Sequence, residues 1–380
     1  MIYNTQYPEF NSLEFEINNM WIKDSTIYGV VHGSNCYGLN NEDSDIDLRG
    51  VCFGPRQLYF GMNKHFEQYI SNKQYDTTIF EFRKFLKLCA NANPNALEIL
   101  FVPDRCLVYT KPAGERLIAA REMFLSKKIR HTLSGYAISQ LRRIEGHRKW
   151  LVNPPKSLPT REEFGLPSYR EIRKDQLDAA LSVIRDEMER WDFDWQILDE
   201  DVRINLKNEY ESHLLKYHVS KDDMAFTNSC YKLGYEENFI EVMQKEKQYR
   251  SKVQEWNQYQ GWLKERNPKR AAMEKESHYD RKHASHLVRL MRMCEEVLTT
   301  GKLNVDRTNI DAEELKAIKN NGIWKYEDLI SWAETQEEKI KGLYQTCTIL
   351  PNEPDKEKIN KFCEQEILMG LYSGNIHSAK

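Results

Sequence analysis

At 380 residues, 40% apolar and 30% charged, the chain is long enough to bury a sizeable core and is expected to form two domains rather than one. Its net charge of −3 points to no partner class by itself. A mean hydropathy of −0.72 and the lack of any run near the ~18 apolar residues of a membrane span exclude a membrane-embedded protein.

The first residues, MIYNTQYPEF, lack a basic start and an apolar run, so no secretory leader is expected. The eight cysteines, at positions 36, 52, 89, 106, 230, 294, 347 and 363, are scattered with no Cys-x-x-Cys pair. They read as reduced, mostly buried thiols of a cytoplasmic protein, not as a disulfide frame or a zinc site.

In chain order, Asp24 to Val31 ends in the apolar run IYGVV and predicts a short buried strand. Asp45 to Phe53 predicts a second strand and Tyr69 to Ile79 a third. The segment IFEFRKFLKLCANA then has helical spacing, with Phe82, Phe85, Leu86 and Cys89 on one side. Asn93-Pro94 starts another helix or turn, because proline suits the first helical position. From about residue 113 the pattern turns helical: a long segment over 114–150 closes at VNPPKSLP, and amphipathic helices follow at 170–191 and 279–300. A further helix is predicted around 327–346, then a linker and a last short helix. The expected class is α+β: a small mixed-sheet domain over 1–110, then a mostly helical domain over 111–380. Residues 160–278 form an enlarged insertion or subdomain of the latter.

The stretch HGSNCYGLNNEDSDIDLRGV, residues 32–51, carries the chemistry. Alternate strand residues point the same way, so Asp45 and Asp47 present two carboxylates on one face, with Ile46 and Leu48 opposite. Convergent carboxylates suit hard Mg²⁺ ions, which keep room for substrate phosphates. Upstream, Gly33 lets the backbone approach a polyphosphate, while the Ser34 hydroxyl and neighbouring N–H groups can bind its oxygens. A third acid from a neighbouring strand would complete a two-metal site. Most isolated Asp-x-Asp pairs are solvated loop acids. Here an apolar strand, a Gly-Ser pair and apolar flanks accompany the pair, which favours the metal site. Glu42 and Asp43 read as loop acids.

VVHGSNCYGLNNEDSDIDLRGV resembles the signature of the DNA polymerase β-like nucleotidyltransferase superfamily, and more narrowly the YcgL/RlaP-type nucleotidyltransferases. DTTIFEFRKFLKLCANANPNALEILF, GYAISQLRRIEGHRKWLVNPP and RKHASHLVRLMRMCEEVLTTGKLNV are similar to further blocks of that group. The resemblance spans most of 26–155 and 279–370 and leaves out 160–278. It implies Ser34 as a triphosphate-binding serine and Asp45 and Asp47 as the metal-binding pair. Asp76, read at a strand-to-helix junction, is the expected third carboxylate, with Glu81 as its competitor. Helix capping is the alternative reading of Asp76.

Residues 127–149 hold seven Lys or Arg against one acid, Glu145. Gln140, Arg143 and His147 share one helical face, and Lys282, His286 and Arg289 repeat that geometry. Two cationic stripes could clamp phosphates, although helices of charge-rich proteins commonly carry solvated Lys and Arg. His283 reads as a packed histidine on an apolar face with Leu287, Leu290, Cys294 and Leu298. Trp191, Trp195, Trp256 and Trp262 could stack on bases, but packing is the more common use of large aromatics.

The expected activity is Mg²⁺- or Mn²⁺-dependent transfer of NMP from an NTP to an acceptor hydroxyl. The resemblance suggests RNA as acceptor, such as a tRNA end in a repair setting. The alternatives are a protein or small-molecule acceptor and a non-catalytic antitoxin-type binding protein. A nucleotide-sugar glycosyltransferase reading of Asp45-Ile46-Asp47 is disfavoured by the Gly-Ser pair and the helical C-terminal half.

Overall fold

The computed structural model describes residues 20–42, 44–62, 66–73, 75–169, 173–194, 221–266, 268–373 and 376. Asp43 and Trp195 lie outside them, as does the side chain of Trp191. The chain divides into two compact units, Met1–Val152 with Pro268–Lys380, and Asn153–Asn267.

The first unit begins with α1 (Met20–Ser25), β1 (Thr26–His32), α2 (Ser34–Tyr37), β2 (Asp47–Cys52) and α3 (Arg56–Phe60). The hairpin β3 (Gln68–Ser71) and β4 (Asp76–Glu81) follows, then α4 (Phe82–Ala90), α5 (Pro94–Leu100), β5 (Leu107–Thr110), α6 (Pro112–Ala119) and α7 (Ile129–Val152). The second unit holds α8 (Lys174–Asp194), α9 (Lys221–Lys232) and α10 (Glu237–Glu265). The chain then returns to the first unit with α11 (Pro268–Ser277), α12 (Arg281–Thr300), α13 (Ala312–Asn321), α14 (Tyr326–Thr346) and α15 (Lys356–Tyr372). The α+β class expected from the sequence is the one observed: a mixed five-stranded sheet with helices, then a mostly helical region.

The strands lie in the order β3-β4-β2-β1-β5, with β2 and β4 parallel and the other neighbours antiparallel. Every residue of β1 is buried because both faces of this central strand are covered, which explains its continuous apolar run. Val30 and Val51 join the large core shared with α4, α5, α7 and α12, whereas their chain neighbours Val31 and Cys52 join a small cluster on the opposite face. That two-residue alternation is the strand period at work.

Three predicted elements differ in detail. The single strand expected over 69–79 is a hairpin, broken at Asn72 and Lys73, so Asp76 opens a strand instead of ending one. The helix that follows starts at Phe82, and its N-cap is Glu81, whose carboxylate accepts from the Lys84 amide at 3.0 Å. The long helix expected over 114–150 is split into α6 and α7 by a 3₁₀ turn, Arg121–Phe124. The short strand β5 and the helix α13 have no counterpart in the sequence reading. Among the described residues none of the eight cysteines forms a disulfide, and all but Cys363 are buried. No described helix is long and apolar enough to cross a membrane.

The second unit has its own core of Leu177, Ile184, Phe226, Cys230, Ile240 and Met243. Beside it, the buried Arg161 hydrogen-bonds the Glu246 carboxylate and donates to the Pro167 carbonyl at 2.8 Å.

In the first unit, α12 packs against α7, α13 and α14 through Leu287, Val288, Met291 and Cys294. It also carries a charge into the core. Arg289, 1% exposed, donates to Glu98 Oε1 of α5 at 2.6 Å and lies over the Tyr37 ring at 3.7 Å. The Tyr37 hydroxyl donates to the other oxygen, Glu98 Oε2, at 2.5 Å. Removing one partner of a buried pair strands the other charge and costs roughly 3–5 kcal/mol. Arg289→Ala is therefore expected to lower stability by about that much, read as an earlier urea midpoint with little change in slope.

Candidate functional site

The turn after β1 is built for close approach. Gly33 has φ +67° and ψ −144°, and a side chain there would overlap Asp47 Oδ2. Only glycine fits both the backbone conformation and the space. Ser34 then opens the short helix α2, which ends at Gly38 in the left-handed conformation.

Asp47 begins β2 opposite His32 of β1 on one side and opposite Asp76 of β4 on the other. Asp76 is thus the parallel-strand neighbour of Asp47 in register. Asp45 sits just ahead of β2, exposed, and its carbonyl accepts from Asn35 Nδ2 at 3.1 Å, which ties it to α2. Arg49, two residues on from Asp47 and on the same strand face, contacts both acids. It bonds Asp76 Oδ2 at 3.0 Å and the Asp76 carbonyl at 2.6 Å, and reaches Asp47 Oδ1 at 3.7 Å.

Burial raises the Asp47 carboxyl above its ordinary value. Arg49 pulls it back, while Asp76 and Asp45 push it up further. His32, buried behind the turn, is driven down to about 4 by desolvation against the attraction of Glu98, so it is neutral at pH 7. The site is an uncharged histidine floor under a cluster of crowded carboxylates, with one guanidinium among them.

Glu81, the competing third acid, stands at the other end of β4, opposite Cys52. Five residues of strand put it roughly 16 Å from Asp76. Its oxygens are engaged by the α4 cap and by the Tyr59 hydroxyl at 2.9 Å. The capping role weighed for Asp76 belongs to Glu81.

A C-terminal segment holds the turn from outside. Arg105 pairs with Asp306 and donates to the carbonyls of Asn35 and Cys36, each at 3.4 Å. The Arg307 amide donates to the Tyr37 carbonyl at 3.1 Å. A side chain at Gly38 would overlap Thr308 Oγ1. Burial pushes the Asp306 carboxyl up, but Arg105 and Thr308 hydrogen bonds hold it at about 2. Arg307 is fully buried, bonded to Glu296 at 2.7 Å and to Asp311 at 2.7 Å.

The helical cations do not form the two stripes expected of them. Arg143 and Lys282 are exposed, but Gln140 is buried and Arg289 faces the core against Glu98. His286 is half-buried. Desolvation lowers its pKa well below the ordinary value, and Arg289, Lys282, His283 and Lys319 add to the effect, so it carries no charge at neutral pH. His283 is not packed among apolar side chains: it is half-buried, with Nδ1 2.6 Å from Gln140 Oε1 and its ring 5.8 Å from that of His147.

The sequence reading passed over Arg49, Glu98, Arg105 and Asp306 as site residues. Arg49 had a visible signal, a basic residue continuing the Asp45, Asp47 alternation. Glu98 also had one, a lone acid in the apolar run ALEIL. Arg105 and Asp306 are 201 residues apart and nothing local marks them.

A mixed sheet with a Gly-Ser turn behind its first strand, and acids on two adjacent strand ends, is what the resemblance to the polymerase β-like nucleotidyltransferases led one to expect. Residues 7–152 match the model of the family RlaP, described as the RNA repair pathway DNA polymerase beta family, in line with the polymerase β-like, RlaP-type resemblance of this part of the sequence. The match includes Gly33, Ser34, Asp45, Asp47, Asp76, Arg143 and His147, whereas Lys282, His286 and Arg289 lie beyond it. No curated protein and no solved structure matches the chain.

Two outcomes test this geometry. Gly33→Ala forces a side chain onto Asp47 at a positive φ, a strain on the order of 1–3 kcal/mol. The variant should unfold at an earlier urea midpoint by about that energy, with the circular dichroism of its folded state unchanged. Asp47→Asn removes a carboxyl whose folded pKa is raised. That group favours folding while protonated and loses the benefit as pH rises from the ordinary carboxylate value through the raised one. In chelator at pH 7 the variant should therefore melt no lower than wild type, and any gain should vanish below the ordinary carboxylate value.

Proposed function

We propose that the chain transfers a nucleoside monophosphate from an NTP to a hydroxyl of RNA, with Mg²⁺ (or Mn²⁺) bound by Asp45, Asp47 and Asp76. The observation that carries this reading is the register pairing of Asp47 with Asp76 beside Gly33, which gathers oxygen donors next to the Gly33-Ser34 turn. Hard carboxylate oxygens fit Mg²⁺, and Mg²⁺ suits sites shared with substrate phosphates. When bound, the metal polarises the α-phosphate and stabilises the leaving pyrophosphate. Asp45 and Asp47 hold it, and Asp76, the most exposed end of the strand pair, takes the proton of the attacking hydroxyl.

The Ser34 hydroxyl and the backbone N–H groups of the turn receive the phosphate oxygens. Lys282 and Arg143, both exposed, supply positive charge to the polyphosphate or to the acceptor backbone. Arg289 acts from behind, since its guanidinium is spent on Glu98 and Tyr37 and supports α2. The choice of RNA rests on the RNA repair description of the matched family.

The test is incubation with each α-labelled NTP, Mg²⁺ and total RNA or total cell protein, comparing wild type with Asp45→Ala/Asp47→Ala. Label should enter RNA and fall by about 10²–10³-fold or more in the variant, because loss of metal ligands removes several kcal/mol of transition-state stabilisation. Label in protein instead would replace RNA with a protein hydroxyl as acceptor. Absence of any labelled acceptor together with absence of metal-dependent NTP binding would overturn the enzymatic reading.

A further inference from the structure

The helices α7 and α12 meet at a group of side chains that nucleotidyl transfer does not use. Among the described residues, the one set of three ligand-type side chains with donor atoms all within 4.8 Å of one another is His147, Asp280 and His283. His147 comes from α7, Asp280 is the N-cap of α12, and His283 lies in its first turn. Their elements belong to one compact unit.

The separations fit ligands of a common ion. His147 Nδ1 is 3.6 Å from Asp280 Oδ2, and His283 Nε2 is 3.4 Å from the same oxygen. An N–H···O bond would be 2.7–3.2 Å. Ligands at about 2.0–2.1 Å around a tetrahedral ion lie about 3.3 Å apart. The carboxylate divides its work: Oδ1 accepts from the His283 amide at 3.0 Å as the helix cap, which turns Oδ2 towards the two imidazoles. Asp280 is 1% exposed, so this oxygen is held in a desolvated place.

Gln140 orients the ring. Its Oε1 lies 2.6 Å from His283 Nδ1, which turns Nε2 towards Asp280 Oδ2 at 3.4 Å. An outer amide oxygen orienting a ligand imidazole is the usual support of a metal site. On the other side Trp150 stacks on the His147 ring at 5.9 Å and 22°.

We propose that His147, Asp280 and His283 bind a zinc-class divalent ion that clamps α7 to the start of α12. Imidazole donors with a single carboxylate suit Zn²⁺ and its neighbours, whereas Mg²⁺ prefers six oxygens. Three protein ligands leave a fourth position, and the partial exposure of both histidines opens it to water. The clamp sets the first turn of the helix whose next turns carry His286 and Arg289. His147 is thereby a metal ligand and not a phosphate contact.

The test uses the untagged full-length chain, stripped with chelator and titrated with Zn²⁺ by calorimetry and with Co²⁺ by absorption. One equivalent of Zn²⁺ should bind at this site and raise the melting temperature, and Co²⁺ should give the visible bands of a four-coordinate site. His147→Ala and His283→Ala should each abolish the bands and the thermal shift, whereas Asp45→Ala/Asp47→Ala should retain both. Should His283→Ala fail to fold, the half-exposed His147→Asn, checked by circular dichroism, serves in its place. No Zn²⁺ binding by wild type, or binding lost only in the aspartate variant, would overturn the proposal. None of these readouts involves an NTP, so they stand or fall apart from the transfer assay.

Discussion

One buried carboxylate organises the first unit. Glu98 receives Arg289 on one oxygen and Tyr37 on the other, with His32 Nε2 at 3.9 Å from the latter. Four elements therefore converge on it: β1, α2, α5 and α12. A charge this deep needs compensating donors because desolvation is costly, and here each Glu98 oxygen has one, although Arg289 Nε and His32 Nε2 make no hydrogen bond among the described residues. The constraint reaches the surface, since His32 and Tyr37 bracket the Gly33-Ser34 turn. The position of that turn against Asp47 is set by a pair of charges that never meets solvent.

The acids at the surface show the opposite economy. Asp45, Asp47 and Asp76 crowd one edge of the sheet, and burial and mutual repulsion hold Asp47 above its ordinary pKa, with Arg49 offsetting only part of this. A fold optimised for stability would separate them. Such local frustration is characteristic of sites selected for what they bind, and the surrounding core has to absorb it. Here the support is specific. Asn35 holds the Asp45 backbone, Arg105 and Asp306 fix the carbonyl end of α2, and the Arg307 amide closes on Tyr37.

Much of this was legible in the residues. The apolar run of β1 and the Asn93-Pro94 helix start are local signals that pattern reasoning reads directly, whereas the strand expected from Asp45 begins at Asp47 and leaves Asp45 just ahead of it. The hairpin at 68–81 is hidden because β3 has only four residues and puts Ile70 on its exposed side and Ser71 on its half-buried side, against the usual polarity pattern. That miss moved the expected helix start and, with it, the roles of Asp76 and Glu81. The cationic stripe of α12 was misread for another reason. Helical spacing gives the face on which Arg289 lies, but not that an acid 191 residues earlier waits there to neutralise it. His283 was assigned to an apolar face on the same periodicity, while its partners Gln140 and His147 come from a different helix. Local pattern predicts elements; pairings across elements need the fold.

The division of the first unit between the two ends of the chain bears on how the protein is made. Ribosomes extend a chain at about 5–20 residues per second, so Glu98 precedes Arg289 by about 10–40 s. During that interval the emerging sheet holds a carboxylate destined for burial and no guanidinium to receive it. The segment 153–267, with its own apolar cluster, is translated within the gap. The Gly33-Ser34 turn thus reaches its final packing only once α12 has been made and Arg289 can meet Glu98.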